Sequence, residues 1–77
     1  MTEKQLVNKY AKAMYSKMAE RKAKYEAFGW RKKTKEELFD WLLEEVEELR
    51  EAYDPIEALD VGILAMFIWD VINNKKT

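Results

Sequence analysis

The sequence predicts an all-α fold, a three-helix protomer that assembles into an oligomeric helical bundle, on three observations. Of 77 residues, 48% are apolar and only three are Gly or Pro, which is too apolar for a disordered chain and too poor in turn residues for a many-stranded sheet. Apolar residues recur at spacings of mostly three and four, the period of a helix face. Three helix-start signatures then divide the chain. The length allows a single domain, residues 1–77, able to bury only about 60 to 65% of the surface that its unfolded form exposes.

The first helix is predicted over about residues 3–28. Thr2 to Gln5 fits a capping box, in which the Thr hydroxyl accepts from the amide three residues on and the Gln side chain reaches back. Leu6, Val7, Tyr10, Met14, Met18, Tyr25 and Phe28 follow at helical spacing until Gly29 offers a left-handed stop. Trp30 to Lys33 reads as a short basic connector. Thr34 to Glu37 is a second capping box, opening a helix over about residues 35–53. Asp54, Pro55 and Glu57 supply a cap, a first-turn proline and a first-turn acid for a third helix over about residues 55–73, with a polar tail from Asn74. The second connection is almost no loop, so the second and third helices form a tight antiparallel hairpin or meet at an elbow.

The third helix leaves no wide polar face: Ile56, Leu59, Val61, Ile63, Leu64, Met66, Phe67, Ile68, Trp69, Val71 and Ile72 run round it. Such a helix is surrounded on all sides, which two helices of one short chain do not achieve, so a homo-oligomer, dimer or tetramer, is expected. The nine-residue apolar run from Val61 to Trp69 falls well short of a bilayer span, and no secretory signal is evident, so a cytoplasmic protein with no membrane partner is expected.

Charge and residue types narrow the chemistry. Residues 1–35 hold eleven Lys/Arg against three Asp/Glu, and residues 36–77 hold three against twelve, so a net charge of −1 hides two opposed poles. Either a basic helix neutralises an acidic one, or an acidic cluster holds a cation while the basic half handles an anion. The chain has no Cys and no His, which excludes disulfides, the usual zinc, haem and iron–sulfur sites, a cysteine nucleophile and a Ser-His-Asp triad. Any metal must be held by oxygen, which favours hard cations such as Mg²⁺ or Mn²⁺.

Angular position separates the ordinary acids from the unusual ones. With Leu38 at zero on a helical wheel, Glu44, Glu47 and Glu51 fall far round, near about 240°, 180° and 220°, where solvent is expected. Glu45 falls inside the apolar stripe, near about 340°, and Glu48 on its edge, near about 280°. On the third helix, Glu57 and Asp60 are one turn apart and share a side with Val61, Leu64 and Ile68. In an antiparallel hairpin the pairs Glu45/Glu48 and Glu57/Asp60 face each other as an oxygen-only cage. Taken singly, each acid has a plainer account: Glu57 by the cap and helix dipole, Glu48 by solvent, Asp60 by a Lys or Arg from the first helix.

Glu45-Val46-Glu47-Glu48 and Glu57-Ala58-Leu59-Asp60 resemble the Glu-x-x-Glu and Glu-x-x-Asp pair of the MazG-like all-α nucleoside triphosphate pyrophosphohydrolases. Leu43 to Leu49 is similar to that family's first motif helix and Glu57 to Val61 to its second. The stretch from Glu57 to Asp70 and the approach segment from Lys24 to Trp30 are similar to small phage and prokaryotic members. The resemblance implies Mg²⁺, or Mn²⁺, bound by Glu45, Glu48, Glu57 and Asp60 in an oligomeric bundle. It also implies hydrolysis of a nucleoside triphosphate between its α and β phosphates, with Glu45 or Glu48 orienting or deprotonating the water, in nucleotide-pool house-cleaning. Arg31, Lys32 and Lys33 are the candidates to hold phosphates and Trp30 to stack on a base, although a Trp after a helix-stop Gly is more often a packing residue. Two departures stand out: only eight residues separate Glu48 from Glu57, and many relatives carry a further helix beyond the position of Asp70.

The alternative is a non-catalytic helical oligomer that keeps the acidic hairpin for stability or as an interaction module. Nucleic-acid binding through the first helix and Arg31 to Lys33 is the weakest reading, because the lysines of that helix are scattered rather than striped.

Overall fold

Both threonine-led starts close as capping boxes. In the computed structural model, which describes residues 1–74, Thr2 exchanges hydrogen bonds with Gln5 at the head of α1, Glu3–Glu20. Thr34 and Glu37 repeat the exchange at the head of α3, Lys35–Ala52, and the Thr34 amide and hydroxyl hold the Glu37 carboxyl below its ordinary range. Asp54 accepts from the Ile56 amide at 2.8 Å and Pro55 begins α4, Pro55–Asn74. Every regular element among the described residues is helical, as the composition and periodicity predict. Asn74, expected in a tail, belongs to α4, and the remaining tail positions 75–77 lie outside the described residues.

The first helix differs from the expectation: the stretch read as one helix over 3–28 is two, α1 and α2, Lys22–Phe28, so there are four helices rather than three. The kink is at Arg21, with φ −110° and ψ 23°, while the Arg21 amide still donates to Lys17 and the Tyr25 amide to Arg21. No Gly or Pro marks it in the sequence. It lies between the two deeply buried residues of this stretch, Lys17 and Tyr25. Gly29 ends α2 at φ 67°, as its lack of a Cβ permits, and the connector that follows is a 3₁₀ turn, Trp30–Lys32.

The topology is up, down, up. From α1 through the 3₁₀ turn the chain tracks α4 in the same direction, with Lys17 against Asp60, Tyr25 against Phe67 and Arg31 against Asp70. α3 returns antiparallel beside α4 in the largest interface of the molecule. The core between them is Tyr25, Leu38, Ile63, Leu64, Phe67 and Val71, flanked by Met14, Met18, Trp30, Trp41, Leu42 and Ile68. Aromatic contacts lock its upper half: Tyr25 meets Phe67 edge-on at 5.7 Å and Trp30 stacks on Phe67 at 4.0 Å. Where α1 crosses the first turns of α4, the Tyr10 hydroxyl donates to the Ala58 carbonyl, and a Cβ at Gly62 would collide with the Tyr10 ring.

Leu38 is fully buried at the centre of this small core. Leu38→Ala should cost about 2 to 5 kcal/mol, as much as a core of this size supplies. Urea titration followed by circular dichroism should show its cooperative transition weakened or lost.

Candidate metal centre

The acids converge because of how α3 turns into α4. Ala52 and Pro55 are separated only by Tyr53, in the left-handed region at φ 50°, and the capping Asp54. The reversal sets the last turns of α3 beside the first of α4. Glu45, Glu57 and Asp60 each offer a carboxylate oxygen there, and these atoms lie within 4.8 Å of one another. The hairpin expected from sequence is thus present, and three of the four named acids meet in it. Glu48 is more exposed and stands at the rim, interacting with both Glu45 and Glu57 without joining the three. Glu44, Glu47 and Glu51 face solvent, as their angular positions predict.

Burial makes this cluster electrostatically costly. The Trp41 indole donates to Glu45 Oε1 at 3.2 Å, but Glu45 Oε2 and Glu57 Oε2 are buried with no hydrogen-bond partner. Desolvation, the Glu48 carboxyl and the charge of Asp60 push Glu45 up to about 7, against the opposing pull of Trp41. Desolvation first, then Glu48 and Asp60, also raise Glu57, while the Lys17 charge lowers it. A carboxylate has no proton to donate, so the contacts with Glu48 favour the protonated form of Glu45 and Glu57.

Asp60 is stabilised differently. Lys17 Nζ lies 2.6 Å from its Oδ1 and donates also to the Ile56 carbonyl at 3.2 Å. Both residues are deeply buried, Lys17 at 7% and Asp60 at 9% exposure. A cation from the first helix therefore accompanies Asp60, the plainer account open from sequence. The particular lysine was legible: on the wheel that places Tyr10 at zero, Met14 is near about 40° and Lys17 near about 340°, inside the apolar stripe.

The basic connector is elsewhere. Arg31 lies 4.0 Å from Asp70, and Trp30 to Thr34 line a groove of about 220 Å³ with Asp70, Val71 and Asn74. Ten residues of α4 separate Asp70 from Asp60, an axial distance of about 15 Å. Arg31, Lys32 and Lys33 are thus not brought to the cluster of Glu45, Glu57 and Asp60 in their own chain. Trp30 is committed to packing, stacked on Phe67 with the Arg31 guanidinium 4.4 Å from its ring centre. Lys33 lies over Phe28 and pairs with Glu37.

No family model, curated protein or solved structure matches this chain. The residues present fit a hard divalent cation: the donors are all carboxylate oxygens, and two of the buried ones lack the donor that a filled hydrogen-bond network would give them.

The pH dependence follows from Glu45. Its folded value is raised above the ordinary carboxylate value of 4.5, so the folded state holds a proton that the unfolded state has lost between there and about 7. This contribution to stability is full below that window and is lost as pH rises through it. Without divalent cations the melting temperature should fall from pH 5 to pH 7.5, and in Glu45→Gln the fall should be smaller, as read by thermal unfolding across that range.

Proposed function

We propose that the chain is a Mg²⁺-dependent nucleoside triphosphate pyrophosphohydrolase, similar to the MazG-like enzymes, that releases a nucleoside monophosphate and pyrophosphate in nucleotide-pool house-cleaning. The observation that carries this reading is the convergence of Glu45, Glu57 and Asp60 within 4.8 Å on a helical hairpin. Those three residues would hold the ion, with Glu48 completing the set from the rim. When bound, Mg²⁺ or Mn²⁺ neutralises phosphate charge and makes a water more acidic. Glu48, exposed and interacting with both Glu45 and Glu57, is an acid that would orient the attacking water in this reading. Glu45 or Glu48 would accept its proton.

The reading includes self-association. The chain exposes 6045 Å², whereas a compact monomer of 9.2 kDa exposes about 4,900 Å². The excess, about 1,100 Å², is of the order that one partner buries in a standard interface. Phe39, Leu43 and Val46 of α3 and Met66, Trp69 and Ile72 of α4 are the exposed apolar residues that a homo-dimer or tetramer would cover. Among the described residues, no helix is long and apolar enough to cross a membrane. The Lys17–Asp60 pair favours a second reading, a non-catalytic oligomer in which the acids serve the packing of α1.

Incubation with Mg²⁺ and a panel of canonical, deoxy and modified nucleoside triphosphates should release pyrophosphate from at least one of them. Glu48→Gln and Asp60→Asn should each lower the rate by a factor of about 10² or more. No release from any substrate would leave the non-catalytic reading, and full activity in both variants would remove the site. Equilibrium sedimentation at micromolar concentration should show a dimer or tetramer, and a stable monomer would remove the assembly.

A further inference from the structure

The lysine buried against the acids has a use beyond structure. Lys17 is the one cation that reaches the carboxylate cluster among the described residues, and its side chain and that of Asp60 are 8% and 12% exposed. An ammonium has three donor positions. One is spent on Asp60 Oδ1 and one on the Ile56 carbonyl in the first turn of α4. Its charge also acts on Glu57, and Glu45 offers an oxygen within 4.8 Å of those of Glu57 and Asp60, so one positive charge serves a cluster of three acids. The cluster is under-neutralised, and its only internal cation holds the one acid of the set that is almost fully buried.

Resting on the reading of Glu45, Glu57 and Asp60 as the ligands of a divalent ion, we infer that Lys17 is a resident counter-cation that the ion must displace from Asp60. Occupancy of the carboxylate site is thereby coupled to the seating of α1 on α4. Two features carry this. Lys17 and a divalent ion draw on the same carboxylate, and a doubly charged ion about 4 Å from an ammonium is repelled by it in any solvent. The seat itself is slight: α1 meets α4 over a far smaller surface than α3 does. The polar bonds between them are those of Lys17 to Asp60 and Ile56 and that of Tyr10 to Ala58. Releasing Lys17 leaves α1 held by Tyr10 and by apolar contacts such as those of Met14 and Met18 with the core. In the ion-free protein Lys17 satisfies Asp60; in the ion-bound protein its ammonium is freed at the edge of the site, where an anionic phosphate would meet it. Lys17 is thus a positioning residue that sets the affinity of the site for the ion.

The test measures Mn²⁺ affinity by calorimetry, without substrate, in the wild-type chain, Lys17→Met and Lys17→Arg. Lys17→Met removes the charge and keeps most of the apolar stem, and should bind Mn²⁺ at least about tenfold more tightly. Lys17→Arg keeps the charge and should bind no more tightly than wild type. Equal or weaker binding by a folded Lys17→Met would overturn the proposal. Because that variant can lose its fold, a second measurement uses the wild-type chain alone. Addition of diamagnetic Mg²⁺ should abolish the slowly exchanging side-chain ¹⁵N signal of Lys17 and speed amide hydrogen exchange in α1. A Lys17 signal unchanged at saturating Mg²⁺ would overturn the proposal equally. Failure of the underlying reading looks different: if neither wild type nor a folded Lys17→Met binds Mn²⁺, the carboxylates are not a cation site and the proposal falls with it. Binding by Lys17→Met alone would also overturn the proposal, since an ion that the wild-type chain never takes up displaces nothing, and it would remove the Mg²⁺-dependent activity as well.

Discussion

Everything at the acidic site depends on the reversal at Tyr53 and Asp54. A tyrosine in the left-handed region costs about 1 to 2 kcal/mol, and Tyr53 is the only non-glycine residue with positive φ among those described. Tyr53 is 82% exposed, so no burial of its ring offsets that cost. What holds it there is its neighbours. Pro55 keeps Asp54 out of the helical region, Asp54 caps α4, and α3 must therefore stop one residue earlier. A turn with so little slack permits few registers between α3 and α4. The one adopted sets the Glu45 and Glu57 carboxylates beside each other, where burial, Glu48 and the charge of Asp60 raise the cost of ionising both.

That hairpin alone would be a poor arrangement for a protein without ions. Lys17 relieves it only in part, because it is bonded to Asp60 and the Ile56 carbonyl and leaves the buried Oε2 atoms of Glu45 and Glu57 without a donor. The remaining remedy of the ion-free chain is a proton, whose binding is favoured at both Glu45 and Glu57. The packing of α1 and the protonation of the acids are therefore two answers to one charge problem, and a divalent cation would be a third that makes both unnecessary.

The sequence makes much of this legible, and its failures share a cause. Capping boxes, the Gly29 stop and the Asp54-Pro55 start are local, and they fall where local chemistry puts them. Glu45 is found by angle because its place inside an apolar stripe depends on one helix only. The kink at Arg21 is missed because neither Gly nor Pro marks it, and it lies where α1 and α2 bring Lys17 and Tyr25 to successive levels of α4. Arg31 to Lys33 are named from sequence as candidates to hold phosphates beside the acids, yet the antiparallel course of α3 carries its acids away from its own start and toward Pro55. Lys17 is found only if the wheel applied to α3 is applied equally to α1, since a lysine on an apolar stripe is as informative as a glutamate on one.

The choice between an enzyme and a structural oligomer turns on what selection for stability alone would do with these positions. Removing a buried unsatisfied acceptor recovers about 1 to 3 kcal/mol, and replacing a buried ion pair by apolar residues of like volume is often neutral or stabilising. A helical oligomer under no other demand has every reason to replace Glu45 with a leucine, since its neighbours on that face are Trp41, Leu42 and Leu49, each partly buried. Glu57 and Asp60 lie beside Lys17, yet one ammonium bonded to Asp60 leaves a Glu57 oxygen buried without a donor. Retaining three carboxyl groups at the point of tightest reversal, in a chain with so little core of its own, is a cost that binding a cation would offset and that packing does not. The net charge of −1 does not extend to the hairpin: of the basic half, only Lys17 reaches the cluster of Glu45, Glu57 and Asp60 among the described residues, and it is bonded to Asp60.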